Sequence, residues 1–445
     1  MINVRTLDLA GIGVGPFNLS LAALLAPVSS IAARFYERRP SFSWHPGMML
    51  PGSRMQTSFL KDLVTPVDPS SRYSFLSYIV QNGRFYRFVN AEFSRVRRVE
   101  FADYLRWVAS QLPNVQFGSD VVGVAPTDAG FELQFASGAP VLAKHLAVAT
   151  GLVPYVPSWA REHLSGRCFH THGYQNSELG VEGKRVLVIG GGQSGAEVLL
   201  QLLSGVRGTA AEVTWVSRRP GLDPLDETAF TNEYFTPDYV KHFHRLPEER
   251  RRAIAYSQKL TGDGVSPETL RDLSQYLYEH DFLRPLESKY RIMTNREVRS
   301  MARRGAAFEL TMRNAFNQVD ESLSAEIVIF ATGYRYSLPG CLHSLSERLE
   351  TDKEGHLRLE EDYTARWDGP REHKIYMINA GRHSHGIPDS QLSLTAWRSA
   401  VIINSLCDRE VYAVEPCAAP LEWVDTRTPQ SQRGGRSLPM RIQLG

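Results

Sequence analysis

Two sets of closely spaced glycines stand where a chain can cradle a phosphate. In the first, Gly11, Gly13 and Gly15 follow an apolar run and precede Pro16 and an apolar helical segment starting near Asn18. Glycines at this spacing allow a tight turn and let backbone N–H groups approach a pyrophosphate, whose charge the helix dipole stabilises. Pro16 stands where a further glycine is usual. Glu37 closes the next strand-like run. A carboxylate there accepts hydrogen bonds from a ribose diol and disfavours a ribose phosphate, so this half reads as an FAD site. In the second set, Gly190, Gly192 and Gly195 follow Val186–Ile189 and open a helix through Ala196 and Glu197. Ser217, Arg218 and Arg219 replace the acid at the end of the following strand, and cationic and hydroxyl groups there suit the 2′-phosphate of NADP. Each set has a plainer reading, as an ordinary glycine turn or as a solvated arginine pair at a strand end.

Two dinucleotide folds in one chain imply electron traffic from nicotinamide to flavin. Ala149–Gly151 and Ala331–Gly333 each end a strand-like run and lead towards Pro154 and Pro339, as crossovers between two such units do. The four cysteines, Cys168, Cys341, Cys407 and Cys417, never form a C-x-x-C pair. That argues against a disulfide reductase and a zinc ribbon and suits a reducing cytoplasm. His383 and His385 have no carboxylate or thiol shell around them in sequence, so they read as loop histidines and no metal is expected. Arg84, Arg87, Arg95, Arg97 and Arg98 interleave with Phe85, Tyr86 and Phe88. Such a stretch can stack on nucleic acid, but a solvated face is the simpler use.

The elements that must hold these residues are an α/β set. Strand-like runs fall at Leu7–Gly11, Ile31–Tyr36, Leu146–Ala149, Val186–Ile189, Val213–Val216 and Ile327–Phe330, with helical patterns such as Ser194–Leu203 between some of them. Alternation of this kind implies two doubly wound parallel units, Rossmann-like, beginning near residues 7 and 185. Between Asp226 and Tyr290 the strand signal stops and helical patterns take over, at Pro247–Lys259 and Ser266–His280. The expected organisation is an FAD-binding unit at 1–178 and 336–425, an NADPH-binding unit at 179–225 and 291–335, a helical substrate-binding insert at 226–290, and a mobile tail at 426–445. A length of 445 residues suits two or three domains. The formal charge of +2 argues for no polymer partner, neither nucleic acid nor an anionic membrane. The glycine-interrupted opening is no signal peptide, and no stretch approaches the roughly 20 apolar residues needed to span a bilayer.

Longer runs add a resemblance. Leu164, Gly166, His170 and Tyr174 are similar to the F-x-G-x-x-x-H-x-x-x-Y signature of class B flavin monooxygenases, with Leu164 replacing the aromatic. Phe42-Ser-Trp-His-Pro-Gly-Met-Met49, Met55-Gln-Thr-Ser-Phe-Leu-Lys-Asp-Leu63, Asp68-Pro-Ser-Ser-Arg-Tyr-Ser-Phe75, Phe330-Ala-Thr-Gly-Tyr334 and His385-Gly-Ile-Pro-Asp-Ser-Gln-Leu-Ser393 together resemble the lysine/ornithine N-hydroxylases of siderophore pathways, over about residues 5 to 425. Within that family the likeness is greatest to lysine N6-hydroxylases of the aerobactin type. The resemblance implies FAD and NADPH as cofactors and O2 as co-substrate, with a C4a-hydroperoxyflavin hydroxylating the terminal primary amine of lysine. It implies flavin contacts from Trp44, His45, Pro46, Met55 and Gln56, although Trp44, like Trp107, also reads as a core aromatic. Further cofactor contacts fall on Gln193 and Ser194, on Thr332, Gly333 and Tyr334, and on Leu392. Lys61 matches the lysine that holds the substrate carboxylate; Asn232, in Thr231-Asn-Glu-Tyr-Phe235, and Ser393 match further substrate contacts. A second family asparagine has no clear equivalent in Thr261-Gly-Asp-Gly264, and Glu326 stands where Asp is usual. No protein acid or base is assigned. The same chemistry on ornithine, putrescine or cadaverine, and a non-catalytic NADP-binding flavoprotein, are the alternatives. A soluble cytoplasmic homo-oligomer, dimer or tetramer, is the expected form.

Overall fold

A computed structural model describes residues 6–284, 288–415 and 419–424. The expected mobile tail at 426–445 lies outside the described residues. The chain opens with β1 (Leu7–Ile12), α1 (Pro16–Leu25) and β2 (Ala33–Tyr36). Helix α1 is apolar on nearly every face because it is buried almost throughout. Three helices follow, α2 (Phe75–Gln81), α3 (Phe85–Asn90) and α4 (Arg98–Gln111). None of the three is among the helices expected from sequence, although Phe101, Tyr104, Leu105 and Val108 recur at helical spacing in α4 and could have marked it. In the fold Phe75 stacks on Phe101 and tilts against Phe88, Tyr104 meets Phe75 and Phe101 edge to face, and all four join the core that α1 caps.

Strands β3 (Val115–Gln116), β4 (Val121–Thr127), β5 (Gly130–Phe135) and β6 (Val141–Val148) complete the first half. The chain then enters β7 (Val153–Pro154), β8 (Cys168–His170), β9 (Arg185–Ile189), α5 (Gln193–Leu203) and β10 (Glu212–Val216). Helices α6 (Pro237–His244), α7 (Glu248–Ser257), α8 (Leu260–Asp263) and α9 (Pro267–Phe282) fill the stretch read as an insert. Next come β11 (Lys289–Met293), β12 (Arg296–Arg304), β13 (Ala307–Asn314), β14 (Val319–Ala325) and β15 (Ile327–Phe330). The described chain closes with β16 (Tyr334–Arg335), β17 (Ile375–Met377), α10 (Arg382–His385) and α11 (Thr395–Cys407).

Two main sheets result. The first runs β3-β2-β1-β6-β5-β4, with β17 added parallel to β6. The second runs β11-β10-β9-β15-β8, all parallel. Apolar cores cover both faces of each, so central strands such as β9 and β15 read as unbroken apolar runs. Between them β7 pairs with β16, and the Tyr155 N–H donates to the Gly333 carbonyl at 2.9 Å, where the two Ala-Thr-Gly segments cross.

Three features differ from the sequence reading. Strand β8 pairs with β15 in the second sheet, although residues up to 178 were read as part of the first unit. The antiparallel meander β12-β13-β14 was not foreseen. The helical stretch at 226–290 is not one body: α6 buries Tyr239, Val240 and Phe243 in the core of the first unit, while α9 buries Leu273 against the second. Among the described residues no helix is long and apolar enough to cross a membrane.

Candidate active site

The first glycine turn is fixed by contacts that leave its outer face open. Gly13 has φ +83°, and a Cβ there would lie 2.8 Å from the Ala149 carbonyl oxygen. Gly15 caps the N-terminus of α1, and a Cβ on it would meet nothing within 4 Å. That gap leaves the helix N-terminus open to the approach of a phosphate. Pro16 occupies the first turn of α1, where a missing N–H costs nothing. Asn18, fully buried, pins the turn by donating from Nδ2 to the carbonyls of Ile12, Gly13 and Ala147 at 3.3, 2.8 and 3.1 Å. Glu37 accepts from the N–H groups of Val14 at 2.9 Å and Arg39 at 3.1 Å, so it stiffens the turn and has lone pairs left for a diol.

The second turn is tighter. Gly190 has φ +127°, and a Cβ there would overlap the Ala331 carbonyl. Gly195 lies against the Gly190 carbonyl, which also accepts from the Trp215 indole at 2.8 Å. Gly192 is the N-cap of α5, followed by Gln193 and Ser194. Arg218 is exposed on the cavity wall, whereas Arg219 donates to the Asp263 carbonyl at 3.0 Å, so the two arginines are not equivalent. Gln193, expected to touch a cofactor, has its amide engaged by protein: it donates to Glu197 and Thr269 at 2.9 Å each and accepts from the Ser266 N–H at 2.8 Å.

Both turns open into one cavity of about 2410 Å³ between the sheets. Trp44, His45, Met55, Gln56, Thr332, Gly333, Tyr334 and Leu392 line it along with Lys61, Asn232 and Ser393, so residues far apart in sequence meet there. Met55 is buried, Gln56 half-buried, and Trp44 packs at 6.0 Å from the Phe101 ring. Pro46 starts a short 3-10 turn whose Gly47 lies against the His172 carbonyl, which holds this run onto residues 170–174. His45 adopts φ 44°; its ring is accessible from the cavity yet surrounded by protein, and that burial, with Arg98 next, brings its pKa down to about 4. Tyr334 stands between His45 and His170, and burial raises its phenol to about 12.

Lys61 is half-buried, and that burial lowers its pKa against the opposing pull of Glu233. Asn232 is exposed on the 3-10 turn Thr231–Phe235, its amide 3.5 Å from the Glu227 carbonyl. Ser393 is buried, with no partner for its Oγ among the described residues. Where a second asparagine was sought, Thr261 turns its hydroxyl onto the Gln258 carbonyl at 2.6 Å, and Gly262, Asp263 and Gly264 form the wall. His385 is fully buried, stacked on Tyr363 at 4.0 Å and 2.8 Å from the Ser384 hydroxyl, while His383 stacks on His356 at 3.3 Å. The pair therefore faces different neighbours. Asn18 and Arg98 escaped sequence reading because only the fold brings their partners to them.

A model of the family described as L-lysine 6-monooxygenase/L-ornithine 5-monooxygenase matches residues 5–336. The chain is similar to the L-lysine N6-monooxygenase of Escherichia coli, 39% identical over 421 residues that span 94% of this chain and 99% of that protein. Among solved structures it is similar to the FAD-bound cadaverine monooxygenase of the desferrioxamine pathway of Erwinia amylovora. The TM-score is 0.88 at 28% identity, over 96% of this chain and 100% of that one. It is also similar to the ornithine N-hydroxylase of Kutzneria sp. 744 with reduced FAD, NADP+ and L-ornithine. There the TM-score is 0.83 at 30% identity, over 91% and 99% of the two chains.

Proposed function

Since the chain belongs to the L-lysine 6-monooxygenase/L-ornithine 5-monooxygenase family, we propose that it uses FAD, NADPH and O2 to hydroxylate the terminal amine of L-lysine, a step of hydroxamate siderophore biosynthesis. The observation that carries this is the single cavity that both glycine turns share with Lys61, Asn232 and Ser393. At about 2410 Å³ it exceeds the roughly 300–1,000 Å³ of a site for one drug-sized ligand, as two dinucleotides and an amine require.

The residues fit the cofactors. Open space over Gly15, the N-terminus of α1 and Glu37 suit FAD, and the N-terminus of α5 with Arg218 on the cavity wall suits NADPH. FAD held there would supply the redox chemistry that links NADPH to O2. The chain's own part is to bind, orient and exclude water. Lys61 holds the α-carboxylate, and Asn232 and Ser393 orient the substrate. An amine must lose its proton to attack an electrophilic oxygen, from a usual pKa of about 10.4. A desolvated position at the far end of the substrate from Lys61 would favour the neutral amine.

A diamine is the second reading, favoured by the Glu233 carboxylate beside Lys61, which can meet a second ammonium. The enzyme acts in the cytoplasm as a homo-oligomer, whose interface would cover exposed apolar side chains such as Val80 and Tyr86. The decisive test is hydroxylamine formed per NADPH consumed, with FAD supplied, for lysine, ornithine, cadaverine and putrescine. Lysine is expected to lead. A leading diamine would replace the substrate, and no hydroxylamine from any amine would overturn the reading.

A further inference from the structure

Arg98, the first residue of α4, belongs to neither glycine turn but lies between them. One guanidinium nitrogen donates to the Met48 carbonyl at 2.9 Å, in the Phe42–Met49 run, and to Glu197 Oε2 at 3.3 Å; the other donates to Glu197 Oε1 at 3.0 Å. Glu197 is 8% exposed on α5, just inside the helix that Gly192 caps. The same Glu197 oxygen accepts from Gln193, which grips α9 through Thr269 and Ser266. A continuous polar chain therefore runs from residues 45–49 through Arg98 and Glu197 to α9. Two other pairs cross the same boundary, Arg54 with Glu268 at 3.7 Å and Arg95 with Glu227 at 2.8 Å. Both are more exposed than Arg98 and Glu197, whose side chains are 16% and 8% exposed.

We propose that Arg98 is a positioning residue, whose fork onto Glu197 sets where the second dinucleotide turn lies relative to the run lining the first. This rests on the reading of the two turns as NADPH and FAD sites. A bidentate guanidinium–carboxylate pair fixes both separation and angle, which a single bond does not. Hydride passes only when donor carbon and acceptor nitrogen lie about 3 to 3.5 Å apart, and an error near 1 Å costs roughly 100-fold. The pair acts on that separation through Met48 and α5.

The test is anaerobic flavin reduction by saturating NADPH, followed by flavin absorbance in FAD-loaded enzyme. This needs no amine, so it stands apart from the choice of substrate. Arg98→Ala and Glu197→Ala are each expected to slow reduction by about 10- to 100-fold, with the double variant no slower than the worse single and Arg98→Lys recovering part of the rate. FAD affinity, titrated separately, stays at the wild-type value. An unchanged rate in either single variant, losses that multiply in the double, or slowing that tracks FAD release overturns the proposal. Slowing by Arg98→Ala alone overturns it too, since Arg98 would then act on the coenzyme directly. Where Arg98→Ala yields no folded holoenzyme, Arg98→Gln and Glu197→Gln carry the same comparison. Wild type that NADPH does not reduce at all would instead overturn the cofactor reading.

Discussion

Single side chains in the cavity separate binding from chemistry. Lys61 is half-buried with one acid nearby, so a substrate carboxylate would take it as a charge-assisted partner worth about 1.5 to 3 kcal/mol. Lys61→Ala should therefore raise KM for lysine by roughly 10- to 100-fold with a smaller change in kcat, and leave KM for cadaverine, which has no carboxylate, near its original value. Steady-state kinetics on both amines decide it; equal losses on the two would show that Lys61 serves the fold. Arg218 and Arg219 divide in the same manner. Arg218 faces the cavity unpaired among the described residues, while Arg219 braces the Asp263 carbonyl. Arg218→Ala should weaken NADPH roughly 10-fold and leave NADH unaffected, whereas Arg219→Ala should disturb both coenzymes by loosening the Thr261–Gly264 wall. Their spacing in sequence is identical to that of a solvated pair; only the contact to Asp263 tells them apart.

At the scale of elements, each glycine turn depends on a neighbouring strand end. Gly190, at φ +127°, has no room for a Cβ beside the Ala331 carbonyl, so Gly190→Ala must move the end of β15 or the start of α5. Loss of NADP+ binding with FAD retained is the expected outcome, measured by titrating each cofactor; normal NADP+ affinity would contradict the placement. Asn18 does for the first turn what no glycine can, tying β1 to β6 by three donated bonds from one buried amide. Asn18→Ala removes those bonds, although the Ile12 carbonyl keeps the Ala149 N–H at 2.9 Å, and should destabilise the protein by about 1 to 3 kcal/mol, seen as a lowered melting temperature and weaker FAD retention. The helices at 226–290 were legible as helices, since apolar residues recur at helical spacing. Which unit each packs on was not: α6 buries Tyr239, Val240 and Phe243 in one core, and α9 buries Leu273 in the other.

For the molecule as a whole, burial of neutral histidines sets a pH limit. Burial lowers His145 and His170 from 6.5 to about 4, and holds His385 well below the usual histidine value. A group whose folded pKa is depressed contributes stability that is full above its unfolded pKa and lost as pH falls towards the folded one. The melting temperature should thus drop between pH 6.5 and 4. His145 and His170 each account for on the order of 1 to 3 kcal/mol, and His145→Gln should flatten the profile; an unaltered slope in that variant would count against this origin. The sequence by itself determined the two dinucleotide turns, the acid and the arginines that follow them, the alternation of strands and helices, and the family, because all of these are local spacings of a few residues. The tertiary structure alone decided that β8 joins the second sheet, that the helical stretch is shared between two cores, that Gln193 serves α9, and that Arg98 meets Glu197 across 99 positions. Those choices depend on which surfaces remain unburied after the sheets form, and no window of sequence contains both partners.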